Sequence, residues 1–187
     1  MKGTHCILGA AIAVAACTPE ATSADTSRPA LHRVIPPGLG ISFDLPQTWV
    51  AESLAHATVY SAPAGTAEYF ATVTVEAMQR PPGSLADTLA AAYATATTWP
   101  QFAWDERTPT LVAGEAALRY TVRFEKDEVL RRQIGLVLER APFRLCVRYA
   151  APAAQFDAGQ WIFERIVQSM RIEALSATGS SAPPDGI

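Results

Sequence analysis

Cysteine, histidine and paired carboxylates are the residues of this chain whose types and spacing could do chemistry. Cys146 stands between Arg144 and Arg148 in the run from Phe143 to Tyr149. If that run is a strand, both arginines share its face, and two guanidiniums can lower a thiol pKa toward the nucleophilic thiolate. No base lies near it in sequence and no G-x-S-x-G elbow occurs, so a small residue packed beneath a helix is the favoured reading. An enzyme centred on Cys146, or on carboxylates brought together by folding, is the alternative. Among the histidines, His32 and His56 have no second ligand at metal-like spacing. Asp105-Glu106 and Asp127-Glu128 are adjacent pairs; neighbours on a strand point apart and turn residues are solvated, which is not the opposed pair of a glycosidase. No Gly-rich loop precedes a helix to cradle phosphate. The expectation is a chain without catalytic residues, metal or cofactor.

Composition narrows the class further. The 187 residues carry Lys+Arg 15 against Asp+Glu 18, a formal net charge of -3. The thirteen arginines are spread along the chain, so there is no basic footprint and no nucleic-acid partner is expected. At 49% hydrophobic the chain is too apolar for disorder, and its 14 Pro and 11 Gly follow no collagen-like period. Three cysteines cannot build a disulfide framework.

Residues 1 to 17 read MKGTHCILGAAIAVAAC: one positive charge at Lys2, an apolar run from Ile7 to Ala16, and small residues before Cys17. The apolar run is roughly half the ~20 residues that cross a bilayer, which marks an export signal over residues 1–16 and not a membrane span. Val14-Ala15-Ala16-Cys17 resembles the lipobox of bacterial lipoproteins. That resemblance implies cleavage before Cys17 and acylation of its thiol and new amine. Two or three acyl chains anchor stably, since each buried methylene contributes about 0.8 kcal/mol. In enteric-type lipoproteins an Asp after the Cys retains the protein in the inner membrane; Thr18 stands here, so the resemblance points to the outer membrane, facing the periplasm.

After cleavage only Cys146 remains a thiol, and no intramolecular disulfide can form. Residues 17–30 after the leader, and 176–187 at the end, are small, polar and Pro-containing, and read as a flexible tether and tail. The intervening stretch, 31–175, is about 145 residues, enough to bury roughly 68–70% of its unfolded surface.

Within it, strand signals dominate. Ile41, Phe43 and Leu45 alternate with Ser42 and Asp44 until Pro46, and strands are expected near 59–62 and 67–80. Ser84 and Asp87 approximate a capping box, and Leu85, Leu89, Ala92, Tyr93 and Ala96 recur at helical spacing, predicting a helix over roughly 84–98. An antiparallel meander follows through Ala116–Glu125, Leu130–Leu138 and Phe143–Tyr149. Ile162, Phe163, Ile166, Val167 and Met170 predict a second helix over about 153–170. The expected class is α+β, an antiparallel sheet flanked by two main helices.

The run SFDLPQTW (Ser42 to Trp49), the mid-chain helix, the long meander and a closing helix ending IVQSMRI (Ile166 to Ile172) resemble the PsbP/DcrB-like fold over about 39–173. The resemblance implies an α/β/α sandwich in binding and accessory roles and brings no catalytic residues with it.

Two candidate binding features remain. With a three-residue loop at Lys126-Asp127-Glu128, residues whose numbers sum to about 254 face each other, placing Arg119 opposite Gly135. A two-residue loop at Ala141-Pro142 places Arg148 opposite Gly135 from the other side. Arg119, Gly135 and Arg148 would then form a shallow cationic notch for a carboxylate or phosphate, or one filled by an acid of a helix such as Asp87 or Glu164. Trp99, Phe102 and Trp104 crowd the loop after the first helix, as a patch for a partner or as aromatics folded onto the core. The reading is a lipid-anchored binding protein whose partner is an envelope protein or assembly. The alternative is an immunity protein against a periplasmic toxin.

Overall fold

The computed structural model describes residues 28–66, 68–80 and 82–173. The leader, Cys17, nearly all of the tether and the tail lie outside them.

Among the described residues ten strands form two antiparallel sheets. The smaller joins β1 (Leu31–Val34), β2 (Ile41–Pro46) and the closing β10 (Arg171–Ile172) in the order β1-β2-β10. The larger holds β3 (Val50–Ser53), β4 (Ala57–Ser61), β5 (Thr72–Met78), β6 (Ala103–Val112), β7 (Glu115–Lys126), β8 (Val129–Arg140) and β9 (Phe143–Pro152), ordered β3-β4-β5-β9-β8-β7-β6. Helices α1 (Leu85–Ala92) and α2 (Ala153–Ser169) lie on opposite faces of it. This is the expected α+β class, in three α/β/α layers.

The period of two decides which helix each side chain meets. Val73, Val75, Leu136, Leu138, Leu145 and Val147 pack with Phe163 and Ile166 of α2 and with Phe43 and Leu45 of the small sheet. On the other face Leu118, Tyr120, Val122, Val137 and Cys146 pack with Leu89 of α1 and with Tyr93, which caps its C-terminus. Both clusters are aliphatic and aromatic, and their burial is the main stabilising term.

The predicted capping box is present: Ser84 Oγ accepts from the Asp87 N–H while the Asp87 carboxylate accepts from the Ser84 N–H at 2.8 Å. The helix is shorter than the apolar spacing suggests. It stops at Ala92, and a 3-10 turn over Ala96–Thr98 replaces its expected last turns. Thr97 and Thr98 each donate through Oγ1 to the carbonyl three residues back at 2.7 Å, a local bond that competes with the helical ladder.

Two further elements differ from the sequence expectation. The stretch after α1 is a loop only as far as Phe102: Ala103–Val112, with Trp104, is the ten-residue edge strand β6. An edge strand buries little, so its side chains do not alternate, and Pro109 is tolerated because the edge has spare ladder positions. The turn from β7 to β8 has two residues, not three. Lys126 pairs with Val129, and Asp127 and Glu128 take φ of 53° and 61°, as a type I′ hairpin turn demands. Residues facing each other across β7 and β8 are therefore Tyr120 with Gly135 and Arg119 with Leu136.

Candidate functional site

The one-residue change of register moves every β7 side chain to the other face. Arg119 points to the α2 face, where its Nη1 and Nη2 donate to the two Glu164 carboxylate oxygens at 3.0 and 2.5 Å. That bond holds the Glu164 carboxyl below its ordinary range. Arg148 does lie opposite Gly135, as expected, but on the α1 face, where it pairs with Glu76. Gly135 is not an empty place between them. A Cβ there would lie 2.5–2.7 Å from Tyr120 ring atoms, so the glycine makes room for that ring. The notch of Arg119, Gly135 and Arg148 is thus not assembled, and Glu164 takes up Arg119 as the helix-acid alternative had it.

Around Tyr120 the sheet carries a buried polar cluster. Tyr93 donates to the Tyr120 hydroxyl at 3.2 Å, and Gln133 Nε2 donates to both phenol oxygens, at 3.2 Å to that of Tyr120. The Cys146 Sγ lies 3.6 Å from the same hydroxyl. Burial pushes the Tyr93 phenol up to about 12. It also raises the Cys146 thiol, and the Arg148 guanidinium, which pulls the other way, does not overcome it. Burial and the neighbouring phenols make Cys146 part of the packing of this face. His32 and His56 are exposed on separate strands or turns, and no group of metal-ligating side chains occurs among the described residues. Asp105 pairs with Arg123 at 3.6 Å, and Glu106 accepts from Thr108 at 2.8 Å, so these neighbours point to different partners.

The aromatics after α1 fold onto the core. Trp99 packs on Phe124 with ring centroids 5.0 Å apart; Phe102 and Trp104 pack on Tyr93 at 6.1 and 5.1 Å, and all three are half-buried. Arg144, which the sequence offered only as a neighbour of Cys146, docks the helix. It is 3% exposed and donates to the Gly83 and Ser84 carbonyls at 2.6 and 3.1 Å, to Thr88 Oγ1 and to Glu139. Nothing in its strand spacing signals that role, since its partners at the helix start lie about 60 residues away.

Helix length then sets the site. Eight residues of α1 span about 12 Å, whereas the twelve of β7 and of β8 span about 40 Å. The helix cannot cover the sheet to the β7–β8 turn, and a pocket of about 420 Å³ opens there. Its walls are Trp99, Phe124 and the alanines Ala92, Ala96 and Ala150; Tyr93 and Gln133 form its floor, and Lys126, Asp127, Arg131 and Arg148 supply its charges. Sequence reasoning passed over Arg131, although alternation along β8 puts it on the same face as Gly135 and Arg148.

No family model and no curated protein sequence matches the chain. Solved structures do. The solution structure of cyanobacterial PsbP (CyanoP) from Synechocystis aligns with a TM-score of 0.60 at 13% identity, over 83% of this chain and 99% of that one. A Pseudomonas aeruginosa protein of unknown function aligns at 0.54 and 16% identity, over 74% and 94%. LpqN of Mycobacterium tuberculosis, described as involved in cell envelope biogenesis, aligns at 0.51 and 18% identity, over 76% and 91%. At such identities the likeness establishes a PsbP-like fold and carries no activity with it.

Proposed function

We propose that this chain is a bacterial lipoprotein, anchored through Cys17 in the outer membrane, whose PsbP-like domain faces the periplasm and acts by binding, as a noncatalytic accessory to an envelope protein or assembly. The observation that carries the reading is the ordered leader with Val14-Ala15-Ala16-Cys17 ahead of that domain. The envelope description of LpqN, which shares the fold, agrees with it. So does the use of the polar groups. Arg119, Arg144 and Arg148 hold Glu164, Glu139 and Glu76 in place, and Cys146 is buried and protonated, which favours a scaffold over a reaction centre. No described helix is long and apolar enough to cross a membrane, and acyl chains on Cys17 would supply the attachment.

Labelled fatty acid fed to a Gram-negative host should enter the wild-type chain and not Cys17→Ala, and the labelled protein should fractionate with the outer membrane. Crosslinking of the intact lipoprotein in envelopes should trap an envelope component that Cys17→Ala fails to trap. Absence of label in the wild type defeats the anchor, and label without any crosslinked envelope component defeats the accessory role.

A further inference from the structure

We propose that the pocket at the open end of the α1 face binds a small organic monoanion, a carboxylate on a flat apolar body, with the acid group on Arg131 and the ring against Trp99. The proposal goes beyond the envelope assignment and stands whether or not Cys17 is acylated.

Arg131 is the first ground. Most cations of this sheet are matched: Arg119 by Glu164, Arg123 by Asp105, Arg132 by Asp157, Arg144 by Glu139 and Arg148 by Glu76. Arg131 lines the pocket without a hydrogen bond or an ion pair among the described residues, and its Nε is buried with no acceptor. Buried donors in native proteins are nearly always paired, so an orphaned one at a cavity wall points to an acceptor that arrives from outside. A guanidinium presents adjacent donors that match the two oxygens of a carboxylate.

The remaining charges select the acid. Arg148 is neutralised by Glu76, which leaves Lys126 and Arg131 positive and Asp127 negative around the opening. The net surplus is one positive charge. A monoanion is compensated by it, whereas a phosphate dianion would be left with an excess charge beside Asp127. Lys126 Nζ sits 6.0 Å above the Trp99 ring, so its charge lies near the same mouth.

The apolar part has its own fit. Trp99 and Phe124 stand at 55° to each other, and the alanines Ala92, Ala96 and Ala150 leave the space beside them unfilled. A volume of about 420 Å³ is within the range of small-molecule sites, and Tyr93 and Gln133 at the floor are already bonded to each other and to Tyr120. Their donors are engaged, which leaves Arg131 as the group that fixes the acid.

The probe is 2-naphthoate, titrated into the purified full chain by calorimetry and by amide and indole NMR. Its neutral isostere 2-naphthamide and the dianion 2-naphthyl phosphate serve as comparisons. Naphthoate should bind about tenfold or more tightly than the amide, the worth of a charge-assisted bond, and more tightly than the phosphate. The shifted resonances should include the Trp99 indole and the Gln133 side-chain amide. Arg131→Gln should bring naphthoate down to the level of the amide, Arg131→Lys should fall between, and Trp99→Ala should weaken both ligands alike. The melting temperature of Arg131→Gln should not fall, because no partner loses its bond, so loss of ligand is separated from loss of fold. The proposal is overturned by equal binding of acid and amide, by tighter binding of the phosphate, by unchanged affinity in Arg131→Gln, or by shifts that map elsewhere.

Discussion

Gly135→Ala tests the register on which the site depends. With Gly135 facing Tyr120, an added Cβ would lie 2.5 Å from Cζ, 2.6 Å from the hydroxyl oxygen and 2.7 Å from Cε1 of that ring. The ring has no easy way to yield. It is 0% exposed, has Tyr93 edge-on with centroids 5.6 Å apart and Trp104 at 6.2 Å, and its hydroxyl is bonded to Tyr93 and Gln133. Forcing a methyl group into a packed core costs about 1–3 kcal/mol, and loss of a hydrogen bond in the cluster adds about 1 kcal/mol. Against this, alanine in a strand interior recovers about 0.5–1 kcal/mol of backbone entropy. The net expectation is a loss of about 1–3 kcal/mol, or roughly 3–10 °C in melting temperature for a domain of this size. Urea unfolding followed by tryptophan fluorescence measures it. A double-mutant cycle with Tyr120→Leu locates the cause: once the ring is gone the glycine substitution should cost less than about 0.5 kcal/mol. Had the β7–β8 turn held three residues, Gly135 would face Arg119 and accept alanine freely. A single mutant within about 0.5 kcal/mol of wild type, or a cost that persists beside Tyr120→Leu, would refute the reasoning.

Three further outcomes are expected. Arg119→Ala removes a half-exposed pair, so its cost at neutral pH should be no more than about 1 kcal/mol. Because the Glu164 carboxyl is lowered from 4.5, that contribution is complete above the ordinary value and disappears as pH falls through the lower folded one; wild type and Arg119→Ala should converge in stability when unfolded at acid pH. Arg144→Leu should cost of order 3 kcal/mol, since Glu139 and the start of α1 lose a buried donor, and hydrogen exchange in α1 should accelerate more than in α2. Cys146 should resist alkylation in the folded protein at neutral pH and react once unfolded, as peptide mass spectrometry of labelled samples would show; rapid labelling of the folded chain would make it an accessible thiol.

The residues themselves carried much of this architecture. Alternation in Ile41–Pro46 and along the meander, and the three- and four-residue recurrence of Ile162, Phe163 and Ile166, were legible because one-sided burial imprints its period on the sequence. The capping box at Ser84 was legible because it is local chemistry, and so was the preference for a buried Cys146 over a reactive one, since no base stood beside it. Strand β6 was not, because an exposed edge imposes no alternation. The relation between strands was not either. Each strand's own pattern tells which of its residues share a face, but which face that is depends on the number of residues in the turn before it. Lys126-Asp127-Glu128 has no glycine to mark a two-residue turn, yet Asp127 and Glu128 take positive φ, and the register that goes with that turn is the one in which Tyr120 settles over Gly135. That contact sends Arg119 to Glu164 on one face. It leaves Arg131 beside Trp99 on the other, where a helix of eight residues ends before the strands do. Period is a property of the local chain, whereas register and the reach of a helix are decided only when distant surfaces close on each other.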